Sequence, residues 1–80
     1  MEKTDIFEKL NTIFSDVLDL DDVQLTDETQ ADDIEEWDSL AHIQLIVAIE
    51  KSFGLKFRSE EIMNWSNVGE MVESIKQKLQ

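Results

Sequence analysis

The chain contains no cysteine and no proline, and it has one histidine and two glycines among its 80 residues. Without cysteine it can form neither a disulfide nor a thiolate metal site, and His42 alone cannot complete a zinc site. The longest unbroken apolar run, Leu45 to Ile49, is far shorter than the about 20 residues that cross a bilayer. The first residues also lack the basic and then apolar pattern of a signal peptide. The sequence therefore predicts a cytoplasmic protein without membrane insertion.

Positive charge is missing from half of the chain. Seven Lys and Arg stand against 19 Asp and Glu, a net charge of −12, and between Leu10 and Lys51 there are 12 acids and no Lys or Arg. Such a surface repels nucleic acids and anionic lipids and attracts basic proteins. An even spread of acids would indicate only solubility, whereas this clustering favours a docking surface. The run Asp19 to Asp22 does not continue into an EF-hand pattern, so no metal site is predicted.

The small size of the chain leaves little material for an active site of its own. A mass of 9.3 kDa predicts one domain over residues 1–80, and a composition 41% hydrophobic suffices for one core. Little apolar surface is left over to line a deep substrate cavity. We therefore expect a protein that is not an enzyme.

Hydrophobic periodicity and capping residues predict four helices. The first runs from about Thr4, a candidate N-cap, to Leu18. The second begins at Asp38 or Ser39 and ends near Phe53, before Gly54.

The second half of the chain adds a short helix and a longer one. Residues 59–63 form the short third helix, and Asn67 with Glu70 has the spacing of a capping box for the fourth. The fourth helix carries an apolar stripe of Val68, Met71, Val72, Ile75 and Leu79. We interpret Met63 and Trp65 as packing residues.

Between the first two helices lies a long loop, residues 19–38. Loops of this length are uncommon in compact domains and are usually functional or disordered. Its spaced aliphatic residues Val23, Leu25 and Ile34 predict a loop pinned across the core. The predicted fold is all-α: a small four-helix bundle of three main helices and one short helix, with a long loop between helices one and two.

Helix two is too apolar to have a single hydrophobic face. One arc is predicted to face the core and contains His42, Leu45, Ile46, Ile49 and Phe53. A second stripe, which we call the outer stripe, consists of Leu40, Ile43 and Val47 and is bordered by Gln44, Glu50 and Lys51. The outer stripe either packs under the long loop or docks a partner, since a central apolar patch with a polar rim is the usual anatomy of an interface.

Ser39, in the first turn of helix two, allows three interpretations. It is a second capping residue, a hydrolase nucleophile with His42 as base, or an exposed hydroxyl that carries a modifying phosphate at the positive end of the helix. The nucleophile is disfavoured, because the residues around Ser39 do not form a Gly-x-Ser-x-Gly elbow.

The stretch from Trp37 to Phe53 is similar to the acyl carrier protein family, which includes peptidyl carrier domains. Asp38-Ser39-Leu40 matches the family's signature tripeptide, and Ile43, Leu45, Ile49, Glu50 and Phe53 match the amphipathic helix behind it. The resemblance covers about residues 6–79. It implies a 4′-phosphopantetheine arm on Ser39, attached from coenzyme A by a phosphopantetheinyl transferase. The thiol of that arm would hold acyl or aminoacyl groups as thioesters, which explains why the chain needs no cysteine.

The resemblance also implies roles for the neighbours of Ser39. Asp38 would be the acid that flanks the attachment site and helps the transferase, and Leu40, Ile43, Val47 and Glu50 would dock partners. Those partners would be the transferase, a ligase or synthase that loads the acyl group, and the enzymes that accept it. The carrier itself is expected to be monomeric.

Several residues depart from the family pattern. Ala41, Gln44 and Lys51 stand where carriers of fatty-acid synthesis commonly have acids, and Trp37 stands where many members have a small residue. Trp37 either packs the loop onto the core, which we favour because large aromatics are mostly buried, or recognises a dedicated partner. These departures indicate a carrier of a specialised biosynthetic pathway. The alternative function is an acidic helical adaptor that binds a basic protein and is never modified.

Overall fold

The computed structural model describes residues 2–79, and within this range its regular secondary structure consists of helices only. The helices are α1, Lys3–Leu18; α2, Ser39–Phe53; α3, Ser59–Met63; and α4, Val68–Leu79. A single 3₁₀ turn, Ala31–Asp33, interrupts the long loop. No helix in this range is long and apolar enough to span a membrane. The all-α fold of three main helices and one short helix is confirmed, while the prediction of one domain over residues 1–80 includes Met1 and Gln80, which lie outside the described residues.

Helix α1 begins earlier than the sequence predicts. Glu2 is its N-cap without a capping side-chain hydrogen bond, and its carbonyl accepts a bond from the Ile6 N–H at 3.1 Å. Thr4 therefore lies inside the first turn, and its assignment as N-cap is wrong. The first turn is held from outside the helix, because Lys3 Nζ lies 2.8 Å from Asp27 Oδ1 in the long loop.

The core lies where α1 packs against α2 and α4. Helix α1 contributes Ile6, Leu10 and Phe14, all at 0% exposure. On α2, Leu45, Ile46 and Ile49 are buried, and His42 and Phe53 are half-buried. The fully buried residues of α4 are Val68, Met71, Val72 and Ile75.

The long loop is pinned to the core by its aliphatic residues, as predicted. Leu25 is buried, and Val23 and Ile34 pack partly buried against the core. The Leu25 N–H also donates to Asn11 Oδ1 of α1 at 2.8 Å. One side of the loop is thus fixed to α1 by both apolar contact and a hydrogen bond.

The other side of the loop is fixed to the start of α4. The Val68 N–H donates to the Thr29 carbonyl at 2.8 Å, and the Gly69 N–H donates to the Asp27 carbonyl at 3.0 Å. These bonds satisfy N–H groups that the first turn of a helix leaves unpaired. The approach requires glycine, because a Cβ at position 69 would lie 2.8 Å from the Asp27 carbonyl oxygen.

Helix α3 packs differently from the prediction at its last residue. Met63 is 83% exposed, so its interpretation as a packing residue is wrong. A helix of five residues has little more than one turn, so few of its side chains can face the bundle. In α3 the half-buried Ile62 does so, and the adjacent Met63 faces solvent. Trp65 does pack against the core, with its ring edge-on to Phe57 at 4.9 Å.

Candidate functional site

Ser39 is the first residue of α2 and is exposed. The capping role belongs to Asp38, whose backbone is extended and whose Oδ1 accepts the Ala41 N–H at 2.8 Å. This arrangement assigns the cap to one residue and leaves the hydroxyl of the next at the protein surface. The Ser39 side chain makes no hydrogen bond among the described residues, so its interpretation as a second capping residue is not supported.

A cavity of about 470 Å³ lies beside Ser39. Its lining consists of Ala31, Trp37, Asp38, Ser39 and His42. The 3₁₀ turn, the residues that precede α2 and the first turn of α2 thus meet at the hydroxyl. Only a short segment joins the 3₁₀ turn to α2, so contacts that hold the loop on the core also keep the 3₁₀ turn close to Ser39.

Trp37 and His42 form a fixed pair beneath this surface. Trp37 Nε1–H donates to His42 Nδ1 at 3.1 Å, and the two rings stack with their centroids 5.9 Å apart. Trp37 is 8% exposed and packs edge-on against Phe14 at 4.9 Å. The interpretation of Trp37 as a packing residue is thus confirmed. Only a narrow edge of the ring is available for the contact with a partner that the alternative requires.

The Trp37–His42 pair argues against the interpretation of Ser39 as a hydrolase nucleophile with His42 as base. His42 Nδ1 accepts from Trp37, and no hydrogen bond joins His42 to Ser39 among the described residues. Burial lowers the pKa of His42 from its usual 6.5, so the ring is neutral at neutral pH. A nucleophile needs a base within hydrogen-bond reach, and Ser39 has none here.

The outer stripe of α2 is exposed along its whole length. Leu40, Ile43 and Val47 are 67%, 62% and 45% exposed, so the alternative in which they pack under the loop is wrong. Met63 of α3 is a further exposed large hydrophobic residue, although the sequence predicted it to be packed. The apolar composition of α3 contained no signal for its exposure, because that depends on how α3 packs on the bundle.

Glu50, the acid predicted to dock partners, has a structural contact. Its Oε2 accepts the Phe57 N–H at 2.9 Å, and the side chain is half-buried. Glu50 thus fixes the segment between α2 and α3. The exposed negative charge near Ser39 comes from the loop instead, where every acid just before α2 is exposed: Asp32, Asp33, Glu35, Glu36 and Asp38.

The site fits a phosphate ester on Ser39. The hydroxyl is exposed, the cavity beside it provides space, and the first turn of α2 places partial positive charge where an anionic ester would sit. The residues that would hold such a group are Ser39 by its oxygen and the first turn of α2 by its dipole.

Comparison with known proteins agrees with this geometry. A family model described as a phosphopantetheine attachment site matches residues 8–75. The chain is 34% identical over 77 residues to an acyl carrier protein of Thermotoga maritima, with 96% of this chain and 95% of the relative covered. It is 36% identical over 80 residues to an acyl carrier protein of Guillardia theta, with 99% of this chain and 98% of the relative covered.

A solved structure supports the same assignment. The solution NMR structure of a holo acyl carrier protein from Geobacter metallireducens superimposes with a TM-score of 0.86 at 41% identity, and the match covers 91% of this chain and 84% of that one. The predicted resemblance thus holds in sequence and in fold. The chain belongs to the acyl carrier protein family, whose members are carriers rather than enzymes and hold acyl groups on a covalent 4′-phosphopantetheine.

Proposed function

We propose that Ser39 is the attachment point of the phosphopantetheine arm and that the loaded protein delivers acyl or aminoacyl groups to enzymes of a specialised biosynthetic pathway. The observation that carries the proposal is that two adjacent residues at the start of α2 have different roles. Asp38 caps the helix, and Ser39 keeps an exposed hydroxyl beside an open cavity.

The attachment step uses the Ser39 hydroxyl as the nucleophile. Within the transferase, Ser39 Oγ bonds to the phosphorus of coenzyme A that bears the pantetheine, and the bond from this phosphorus to 3′,5′-ADP breaks. The hydroxyl proton leaves to a base of the transferase or to solvent. When bound, the arm supplies the thiol that holds the acyl group as a thioester. Asp38 uses Oδ1 in the cap, and the residue is exposed next to Ser39.

The outer stripe provides the docking surface in this proposal. Leu40 follows Ser39 directly, and Ile43 and Val47 continue the exposed strip along α2. Exposed acids in the loop give the surroundings of Ser39 a negative field that steers basic partners. The expected partners are the transferase, a loading ligase or synthase, and the acyl-accepting enzymes.

The specialised pathway is proposed from the charge of α2. Gln44 and Lys51 are exposed at positions where the family commonly has acids, so a partner selected for acids along this helix would find fewer of them. Ala41 does not contribute to this inference as the sequence suggested, because it is 8% exposed and belongs to the core cluster.

The attachment site is tested by intact mass. The protein is incubated with coenzyme A and a broad-specificity phosphopantetheinyl transferase, beside Ser39→Ala and the control Ser52→Ala, which removes another exposed serine of α2. We expect wild type and Ser52→Ala to gain one phosphopantetheine and Ser39→Ala to gain none. If folded, unmodified wild type gains nothing, the unmodified acidic adaptor becomes the better proposal.

The choice of pathway is tested by restoring the acids. A double variant, Gln44→Glu with Lys51→Glu, is compared with wild type as a substrate of a malonyl transferase of fatty-acid synthesis, both in the loaded form. We expect the double variant to accept malonyl groups faster. Equal and rapid transfer to wild type would contradict the specialised pathway while leaving Ser39 as the attachment site.

A further inference from the structure

His42 lies one turn after Ser39 on α2 and lines the same surface cavity beside the hydroxyl. Side chains three positions apart on a helix are neighbours, with their Cβ atoms about 5–6 Å apart. The imidazole of His42 is half-buried and is bound by the indole of Trp37, which is itself packed against Phe14. A group attached to Ser39 would therefore lie close to an imidazole whose orientation is already fixed.

The contact with Trp37 determines which nitrogen of His42 carries the proton. An indole N–H can only donate, so His42 Nδ1, 3.1 Å from Trp37 Nε1, accepts and carries no hydrogen. Burial lowers the pKa of His42, so the neutral ring is the form present at neutral pH. A neutral imidazole has one proton, and in His42 this proton is on Nε2.

The Nε2–H of His42 can bind an acceptor from outside the bundle. It makes no hydrogen bond among the described residues. In the same part of the chain, no buried side-chain nitrogen or oxygen lacks a hydrogen-bond partner. Since Nε2 has no such partner, it is not enclosed and reaches the protein surface.

No other side chain that lines this cavity offers an N–H to an anion. The cavity is lined by Ala31, Trp37, Asp38, Ser39 and His42. The Trp37 indole N–H is already used by His42, and no Lys or Arg occurs between Leu10 and Lys51. Hydrogen bonds to an ionised acceptor such as a phosphate oxygen are stronger than those between neutral groups. His42 is thus the one lining side chain with an N–H available to a phosphate ester on Ser39.

We propose that His42 is a binding residue for the arm, and that its Nε2–H donates a hydrogen bond to a phosphate oxygen of the ester on Ser39. The proposal rests on attachment at Ser39 and deepens that function by naming the side chain that binds the phosphate. The bond holds the root of the arm at the start of α2, where the outer stripe begins with the exposed Leu40.

The proposal is tested by NMR of the unmodified and the modified chain. His42 is the only histidine, and the attached arm adds one phosphorus, so the signals of both are unambiguous. The modified chain is prepared with coenzyme A and the transferase, and intact mass confirms the attachment before spectra are recorded. A chain that gains no mass contradicts attachment at Ser39, whereas the spectra of a modified chain test the role of His42 alone.

On attachment we expect the Nε2 proton of His42 to exchange more slowly with solvent. We also expect the pKa of His42 to rise relative to the unmodified chain, because a bound anion favours the protonated ring. The phosphorus signal should then move as His42 titrates. Equally fast exchange of the Nε2 proton in both forms, or a phosphorus signal insensitive to the titration of His42, would overturn the proposal. This comparison needs no variant, so it holds even if substitutions at position 42 impair folding.

A variant that moves the imidazole separates His42 from the other charged groups near Ser39. Asp38 also lines the cavity, and exposed acids lie in the preceding loop. The remaining neighbours of His42 line the adjoining cleft toward α3 and α4 and have no titratable side chain: Ile62, Trp65, Ser66, Asn67 and Met71. The double variant His42→Gln with Gln44→His keeps the composition and places the imidazole at an exposed position outside the lining.

In the modified double variant we expect the phosphorus signal to lose its response to pH between about pH 5 and 8, the range in which histidine titrates. A response caused by the acids would persist, because the variant leaves them in place. A phosphorus signal that still follows pH in the folded double variant would overturn the role given to His42.

Discussion

Asp38 combines a structural and a functional role, and substitutions can separate them. Asp38→Ala removes the carboxylate that accepts the Ala41 N–H at 2.8 Å and leaves that N–H to solvent. Loss of an N-cap lowers the free energy of unfolding by about 1 kcal/mol. For a domain of this size that corresponds to a fall in Tm of about 4–8 °C. Urea unfolding followed by circular dichroism measures the change.

Asp38→Asn keeps an oxygen that can accept the same hydrogen bond, because asparagine caps helices about as well as aspartate. It removes the negative charge, whose favourable interaction with the helix dipole is at most about 1 kcal/mol at an exposed position. We expect this variant to retain most of its stability, and to be loaded by the transferase at least about tenfold more slowly, equivalent to about 1.4 kcal/mol of activation free energy. The initial rate of mass gain measures the loading.

Two results would refute this reasoning. If Asp38→Asn is loaded at the wild-type rate, the carboxylate has no part in the transfer and Asp38 is only a cap. If Asp38→Ala unfolds at the same urea concentration as wild type, the hydrogen bond to Ala41 does not stabilise α2.

Three further predictions concern the docking surface, the loop and pH. Val47→Arg should change the free energy of unfolding by no more than about 0.5 kcal/mol, since the residue is half-exposed, yet raise the KM of the transferase about tenfold. The control Gln77→Arg makes the same change of charge on α4 and should leave this KM unchanged. Gly69→Ala should destabilise by about 1–3 kcal/mol in urea, because the new Cβ meets the Asp27 carbonyl at 2.8 Å and this outweighs the higher helix propensity of alanine. His42 has a lowered pKa in the folded state, so the unfolded chain binds a proton first as pH falls below 6.5. Wild type should therefore lose stability relative to His42→Gln as the pH is lowered from about 7.5 to 5.

Each of these has a contradicting outcome. An unchanged KM for Val47→Arg would remove Val47 from the docking surface, and a Gly69→Ala variant more stable than wild type would mean that the loop yields at Asp27 without loss. A stability difference between wild type and His42→Gln that is constant with pH would show that the ring titrates alike in the folded and unfolded chain.

The boundaries of the helices were predictable where the deciding interaction is local. Gly54 ends α2 with a left-handed φ of 68°, and Asp38 caps its start through a residue three positions away, so sequence spacing contains both signals. The start of α1 was missed because Glu2 caps the helix without a side-chain hydrogen bond, so no capping side chain marks this position in the sequence.

The candidate site was predictable to a similar degree. The outer stripe follows from the helical period of α2, and Ser39 follows from its place after the cap. The exposure of the stripe required the structure, because the sequence also allowed it to pack under the loop. Trp37 required the structure, because its packing against Phe14 and its bond to His42 join three segments of the chain. Met63 shows the opposite error, since an apolar residue at a helical position was assumed to be buried and is exposed.

The sequence by itself thus determined the helical class, the order of the helices, the acidic surface and the position of the candidate attachment serine. Periodicity and capping depend on residues close together in the chain, and net charge depends only on the composition. None of these properties depends on the final packing. Only the tertiary structure decided that the long loop is clamped between α1 and α4 and that Trp37 and His42 pair beside Ser39. These features depend on side chains that meet across many residues of separation, so they exist only once the helices have packed.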